Sequence, residues 1–240
     1  MVALYQEPGL DVYEAVYYAH FEHVEEVDQI LSWYTAKNVN ILDAGCSGGL
    51  HAIEFARRGF WVTGIDIEPS AVRRAKERSR LAGLNVRFEV LDMETDDLSP
   101  LGPFHLIYSI GNVLSHIRKS GIYNVFRKIR TVMAQESVFL FNLFTIEAPF
   151  IEVLHENRRR ILWTRKLDRR TGSIKMVGNF LDFGISQDFS LWGYYINEVQ
   201  EMLQVTGFAN IEVSESPDFS RSGTHSKNPL SLYFRAAVHQ

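Results

Sequence analysis

The run Asn40-Ile41-Leu42-Asp43-Ala44-Gly45-Cys46-Ser47-Gly48-Gly49-Leu50 constrains this chain's fold more than any other stretch. A buried-strand pattern passes through a glycine-rich turn and directly into a helix. Glycines at such a turn tolerate positive φ and let a ligand approach backbone where a Cβ would collide, which points to a nucleotide-like ligand rather than to packing alone. The turn gains weight from the residues beyond it, since further strands and helices recur at the spacing of successive βα units.

With 240 residues, 46% hydrophobic and 22% charged, the chain can bury the core of one large α/β domain or of one domain with an insertion. No apolar run is long enough to cross a bilayer, and the start Met1-Val2-Ala3-Leu4-Tyr5-Gln6-Glu7 lacks the basic flank and apolar stretch of a signal peptide. The expectation is a soluble, cytoplasmic protein that is not membrane-bound. A net charge of −4 gives no general attraction for nucleic acid. The single cysteine, Cys46, cannot form an intrachain disulfide, and inside the turn it reads as a small packing residue rather than a nucleophile.

Apolar and aromatic residues at three- and four-residue steps, from Val12, Tyr13, Val16 and Tyr17 to Val27, Ile30, Leu31 and Tyr34, predict that residues 1–37 form an N-terminal helical lid. A cofactor-binding core occupies 38–150. Its strands are read at 40–43, 60–66, 86–91, 104–109 and 137–144, with helices at 50–58, 69–81 and 120–133 and stops at Gly59 and Gly83. The rhythm is that of a parallel, doubly wound sheet. Residues 151–195 read as an antiparallel insertion: extended segments at 161–166 and 173–183 are joined through Asp168-Arg169-Arg170-Thr171-Gly172, a composition suited to a hairpin. Residues 196–240 return to the core with a helix at 196–206 and strands at 211–214 and 230–238; residues 216–228 look like an exposed loop. No repeat or linker divides the chain, so 1–240 is read as a single domain.

Asp66 ends the second strand, 17 positions beyond Gly49, where a doubly wound sheet presents a carboxylate to the vicinal hydroxyls of a ribose. Asp92 ends the third strand. Three successive strands therefore finish in a turn or an acid at the carboxyl edge, although each acid taken singly would serve equally as a helix N-cap.

These residues resemble the class I S-adenosylmethionine-dependent methyltransferases of the small-molecule type. Asp43-Ala44-Gly45-Cys46-Ser47-Gly48-Gly49 is similar to that family's first motif, Val62-Thr63-Gly64-Ile65-Asp66 to its second, Leu91-Asp92-Met93 to its third and Ile107-Tyr108-Ser109-Ile110-Gly111-Asn112 to its fourth. The resemblance implies a Rossmann-like α/β fold whose seven-stranded sheet has an antiparallel last strand, with a hairpin inserted after strand five. It implies S-adenosylmethionine as cofactor and S-adenosylhomocysteine as product. Asp43 and Gly45 would lie near the methionine part, Asp66 would hold the ribose and Ile67 would face the adenine, with Cys46, Ser47 and Gly49 of the turn also binding the cofactor. Asp92 and the Met93 backbone would meet the adenine amino group, and Ser109 of the fourth motif completes the set. Ser47 stands where the family commonly has glycine, and His105 where it often has an acid.

NAD-dependent dehydrogenases share a glycine-rich turn and a ribose-binding acid. Their G-x-G-x-x-G is missing here, because Leu50-His51-Ala52 comes after Gly49 and no glycine recurs before Gly59. Methyl transfer is an in-line displacement, so a protein need mainly align donor and acceptor and remove a proton where one must leave. His116 is the candidate base, with Asn112 beside it after the fourth strand and no metal required. Aromatic residues suggest the acceptor pocket: Tyr13, Tyr17 and Tyr18 from the lid, and Trp192, Tyr194 and Tyr195 after the insertion, with Tyr17, Tyr18 and Tyr194 the chosen contacts.

A basic concentration at Arg158, Arg159, Arg160, Arg165, Lys166, Arg169 and Arg170 raises nucleic acid as a partner. The Asn/Asp-Pro-Pro-Tyr/Phe stretch usual in base-amine methylation is replaced by Ser109-Ile110-Gly111-Asn112, which favours a solvated hairpin. The sequence thus reads as a methyltransferase acting on a small-molecule acceptor, nitrogen preferred over oxygen, as a monomer or homodimer. A non-catalytic cofactor-binding regulator and an RNA methyltransferase are the alternatives.

Overall fold

A computed structural model describes residues 9–17, 22–147, 153–156, 160–219 and 231–238. Two helices come first, α1 (Gly9–Tyr17) and α2 (Glu22–Leu31), followed by β1 (Asn40–Ala44), α3 (Leu50–Arg57), β2 (Trp61–Asp66), α4 (Pro69–Leu81), β3 (Arg87–Val90), β4 (Phe104–Ser109), α5 (Lys119–Thr131) and β5 (Met133–Phe144). Pro69 fixes the first turn of α4, and the Glu68 side chain accepts from the Ser70 amide there. Arg78 and Arg80 lie in its last turn, where cations favour the carbonyl end of the dipole.

The core then opens into a separate antiparallel sheet of β6 (Val153–Glu156), β7 (Ile161–Asp168), β8 (Ser173–Phe180) and β9 (Ile185–Trp192), in that spatial order. The hairpin expected around 168–172 is its centre. The sequence pattern missed β6 and β9 because β9 alternates only weakly, burying Phe189 and Leu191 among polar neighbours. The chain returns through α6 (Ile196–Val205), β10 (Phe208–Ser214) and β11 (Ser231–Val238). No helix among the described residues is long and apolar enough to cross a membrane.

The main sheet has seven strands in the order β10-β11-β5-β4-β1-β2-β3. Strands β3, β2, β1, β4 and β5 run parallel, and β11 pairs antiparallel with both β5 and β10. Successive side chains on β1 point to opposite faces. Leu42 and Ala44 join Ile107, Phe139 and Phe141 under α5 and α6. Ile41 joins Val62, Phe88 and Leu106 under α2, α3 and α4. Asp43 shares the parity of Ile41 and so faces α3.

Residues 216–219 are not the exposed loop expected. Phe219 is 8% exposed, edge-on to Trp33 at 6.0 Å and under the Arg235 guanidinium at 4.3 Å. Trp33 Nε1 donates to the Pro217 carbonyl at 2.7 Å. Residues 220–228 of that expected loop lie outside the described residues.

Helix α1 is clasped to α4 by ion pairs. Arg78 Nη2 donates to Glu14 Oε2 at 2.8 Å, and Arg74 Nη1 contacts Asp11 Oδ1 at 2.6 Å and Glu14 Oε2 at 3.4 Å. Glu14 is mostly shielded, so its charged hydrogen bonds outweigh an exposed pair. Val12 and Val16 of the same helix pack against Trp163, Phe180 and Phe189 under the insertion. Glu14→Ala should therefore loosen α1 by about 1 kcal/mol, seen as roughly five-fold faster amide exchange confined to α1; unchanged exchange would show that the apolar contacts alone hold the helix.

Candidate active site

The order β5-β4-β1-β2-β3 reverses direction between β1 and β4, so the loops leaving these two strands diverge and leave a crevice at their carboxyl ends. Its floor is the first glycine-rich turn. The Gly45 and Cys46 amides both donate to the Ile65 carbonyl, at 2.8 and 2.9 Å, and the Gly49 amide donates to the Cys46 carbonyl at 2.9 Å. Gly45 and Gly49 sit at φ of +89° and +78°, where a Cβ is strained. Ser47 also has a positive φ, +46°, and its amide donates to Asp66 Oδ2 at 2.8 Å. At Gly48 the constraint is space: a Cβ there would fall 2.1 Å from the Glu14 carboxylate, so α1 lies directly over the turn.

Asp43 is 4% exposed, and its Oδ2 has no hydrogen-bond partner among the described residues. Burial pushes its pKa up to about 6; the His51 charge, the Tyr108 hydroxyl and the Ala52 amide pull the other way. Asp66 lies two residues beyond Gly64, the register partner of Asp43, so both acids share one face. Asp66 Oδ1 accepts from the Glu68 amide at 2.9 Å. Burial raises its pKa against the opposing pull of the Glu68 and Ser47 amides. With the Ile67 amide pulling the same way, the carboxylate is held largely from within and keeps part of its lone-pair capacity for an outside donor. Beside it, Ile67 is 65% exposed, an apolar side chain without cover at the crevice rim.

Asp92 comes after β3, whose Val90 pairs with Asp66. Its carboxylate accepts from the Glu94 amide at 2.8 Å and from Thr95 Oγ1 at 3.0 Å, a capping role for the turn it opens. The Met93 side chain is buried in the core under α5. Cys46 packs in the opposite core, and burial drives its thiol pKa well upward, as suits an inert packing residue.

The residues after β4 include two struts and a histidine. Ser109 Oγ donates to the Ala44 carbonyl at 2.7 Å, tying the ends of β4 and β1, so its hydroxyl is engaged inside the sheet. The Asn112 amide donates to Asn142 Oδ1 at 2.9 Å, and Asn112 Oδ1 accepts from Ser231 Oγ at 2.7 Å. Its backbone N–H thus ties the turn to β5 and its side-chain oxygen ties it to β11. His116 ends a 3-10 turn, Val113–His116; the residue is exposed in part, and desolvation by the protein packed around its ring lowers its pKa.

Tyr194 also departs from its expected place. It is fully buried, its hydroxyl donates to the Ile117 carbonyl at 3.0 Å, and burial raises its pKa, so it supports the core rather than an acceptor. The Tyr17 side chain and Tyr18 lie outside the described residues. Tyr13 does reach the crevice, with its hydroxyl 3.9 Å from where a Gly111 Cβ would stand. Tyr195 opens α6, where its amide donates to Glu198.

The basic concentration is dispersed. Arg165 is buried on the inner face of the insertion, Arg160 pairs with Asp182, and Arg169 donates to the Ile146 carbonyl; Arg158 and Arg159 lie outside the described residues. Sequence reasoning missed Glu14, Arg74, Arg78, Glu26 and His51. Only His23 offered a signal for α2, as a polar residue in register with the apolar Val27 and Ile30.

Residues 41–136 match the family model described as a methyltransferase domain. The magnesium-protoporphyrin O-methyltransferase of Rhodobacter capsulatus is 31% identical over 174 residues, 67% of this chain and 70% of that protein. The ubiquinone biosynthesis O-methyltransferase of Coxiella burnetii is 37% identical over 60 residues, 25% of this chain and only 26% of that protein's length. Among solved structures, magnesium protoporphyrin IX methyltransferase from Synechocystis PCC 6803 with bound SAM superposes with a TM-score of 0.60 at 15% identity, covering 98% of this chain and 93% of that one. The chain belongs to the S-adenosylmethionine-dependent methyltransferases. The expected preference for nitrogen finds no support in these comparisons and conflicts with them, since both sequence relatives are named as O-methyltransferases.

The residues present fit that family's cofactor. A buried carboxylate oxygen lacks a donor, a second carboxylate stands at the next strand end, and an uncovered isoleucine adjoins it. The first of these destabilises the protein without ligand. A carboxyl displaced from 3.8 to about 6 favours folding only as pH falls through that interval, and at pH 7 represents roughly 3 kcal/mol against the fold. Asp43→Asn should accordingly stabilise the ligand-free protein by roughly 2–3 kcal/mol at pH 7, the attraction of His51 being already contained in the net displacement. In urea unfolding that gain should shrink below pH 6 and vanish near pH 4; a destabilised variant at pH 7 would contradict the account.

Proposed function

We propose that this chain transfers a methyl group from S-adenosylmethionine to an oxygen of a small-molecule acceptor. The observation that supports the reading is the convergence of Asp43, Asp66 and Ile67 at the ends of two adjacent strands, with an unpartnered carboxylate oxygen and an uncovered apolar side chain among them. The oxygen acceptor is supported by the relatives' names, ubiquinone biosynthesis and magnesium-protoporphyrin O-methyltransferase. When bound, the donor supplies an electrophilic methyl on a sulfonium.

In this reading Asp66 accepts from the two ribose hydroxyls, Ile67 packs on the adenine, and Asp92 with the Met93 backbone meets its amino group. The turn from Gly45 to Gly49 presents backbone to the methionine part, and Asp43 balances the positive charge there. Helix α1, clasped over Gly48, excludes water from the crevice, which strengthens every charge interaction within it. His116 takes the acceptor proton. Its lowered pKa leaves the imidazole neutral at pH 7 and able to act as a base.

Two measurements test this. Asp66→Ala should weaken S-adenosylhomocysteine binding in calorimetry by at least tenfold, about 1.5–3 kcal/mol for a charged hydrogen bond; unchanged affinity would remove Asp66 from the ribose. His116→Ala should lower kcat by about 10²-fold in a methyl-transfer screen over hydroxyl, phenol and carboxyl acceptors while leaving product affinity intact. Full turnover by that variant between pH 6 and 9 would end the base assignment, and donor binding without turnover by the unmodified protein would favour a non-catalytic binder.

A further inference from the structure

Helix α2 presses two titratable side chains, His23 and Glu26, against α3, and their contacts lead to the buried acid of the first turn. Glu26 Oε2 lies 2.6 Å from His51 Nε2, with both side chains largely shielded. The His51 ring stands edge-on to His23 at 6.2 Å and tilted to Tyr108 at 6.4 Å. Asp43 lies within Coulombic reach of His51 and beside the amide of Ala52, the next residue. The ionisable groups facing this cluster are His23 and Glu26 from α2, Glu54 and Arg57 from α3, Asp66 from β2, Tyr108 from β4 and Tyr233 from β11.

Two neighbouring histidines are shifted in opposite directions here. Burial and the charge of His51 push His23 down. Burial also opposes charge on His51, but the hydrogen bond and charge of Glu26, joined by Asp43, outweigh it and raise its pKa. Glu26, His51 and Asp43 thus read as anion, cation and anion, leaving one uncompensated negative charge at the oxygen that lacks a donor.

We propose that Glu26 and His51 are positioning residues that keep the Asp43 carboxylate ionised and directed toward the ammonium of the donor's amino-acid end. This rests on the donor reading above. A carboxylate this deep tends to take up a proton; an imidazolium behind it suppresses that, and the imidazolium in turn needs an anion at its far nitrogen. The arrangement joins α2 to the cofactor site although none of its residues reaches the crevice floor.

The test compares S-adenosylhomocysteine with 5′-methylthioadenosine, which lacks the amino-acid group. His51→Asn should weaken the first about tenfold and leave the second within twofold, and should raise the pH midpoint below which S-adenosylhomocysteine affinity falls. Glu26→Gln, which keeps a hydrogen-bonding side chain, should act in the same direction. It should also lower the titration midpoint of the His51 imidazole by at least one pH unit in ¹⁵N NMR of the ligand-free protein, a readout that remains if His51→Asn folds poorly. Equal loss of both ligands, no loss of either, or an unmoved His51 titration would overturn the positioning role while the unmodified protein still bound both. Failure of the unmodified protein to bind either ligand would overturn the donor reading and this inference with it.

Discussion

One carbonyl governs the geometry of this molecule. The Ile65 oxygen receives both the Gly45 and Cys46 amides, and the next residue, Asp66, receives the Ser47 amide. Three consecutive donors of the turn after β1 are thereby spent on the end of β2. The turn can hold its left-handed residues because these bonds over-determine it, and it leaves the crevice side as bare backbone. Asp43 and Asp66 acquire a common face from the same register. Helix α1 then lies across a floor that is already fixed.

Charge is distributed unevenly around that floor. On the outer side, Arg74 and Arg78 meet Asp11 and Glu14 where water still screens them in part, and the bonds hold one helix against another. On the inner side, Asp43, His51 and Glu26 sit where screening is poor and each ionisation depends on the others. Such an interior is less stable than an apolar one of the same volume. Its retention is intelligible where a cationic ligand completes it, so stability and binding draw on the same carboxylate.

Much of the fold was legible in the residues because local signals agreed with the global arrangement. Helix α4 begins at Pro69 and ends at Leu81 as read, and β4 spans Phe104–Ser109 as read. Both have punctuation or burial that no tertiary contact overrides. The insertion was only half legible: β9 carries Ser186, Gln187, Asp188 and Ser190, and its identity as a strand comes from pairing with β8. Residues 216–219 misled because Pro217 and Asp218 read as a loop, whereas Trp33, far away in sequence, covers Phe219. At the crevice, the turn glycines Gly45 and Gly49 and the strand-ending Asp66 stand where their spacing put them in the fold. Side-chain roles that depend on burial were not legible in this way. Nothing local reports that the Tyr194 hydroxyl donates to the Ile117 carbonyl, or that Asn112 Oδ1 accepts from Ser231. Glu26 meets His51 across 25 positions, a distance that no periodicity reports.

The placement of β11 bears on how the protein is made. It lies between β5 and β10, and β10 has no other neighbour in the sheet among the described residues. During synthesis the five parallel strands can assemble as soon as β5 emerges, but β10 must wait as an unpaired segment until the residues from Ser231 onward leave the ribosome. The nascent chain therefore passes through a stage in which one flank of β5 is open to any extended peptide nearby, a period of exposure to aggregation and to chaperone capture that a sheet grown strand by strand from its centre would avoid.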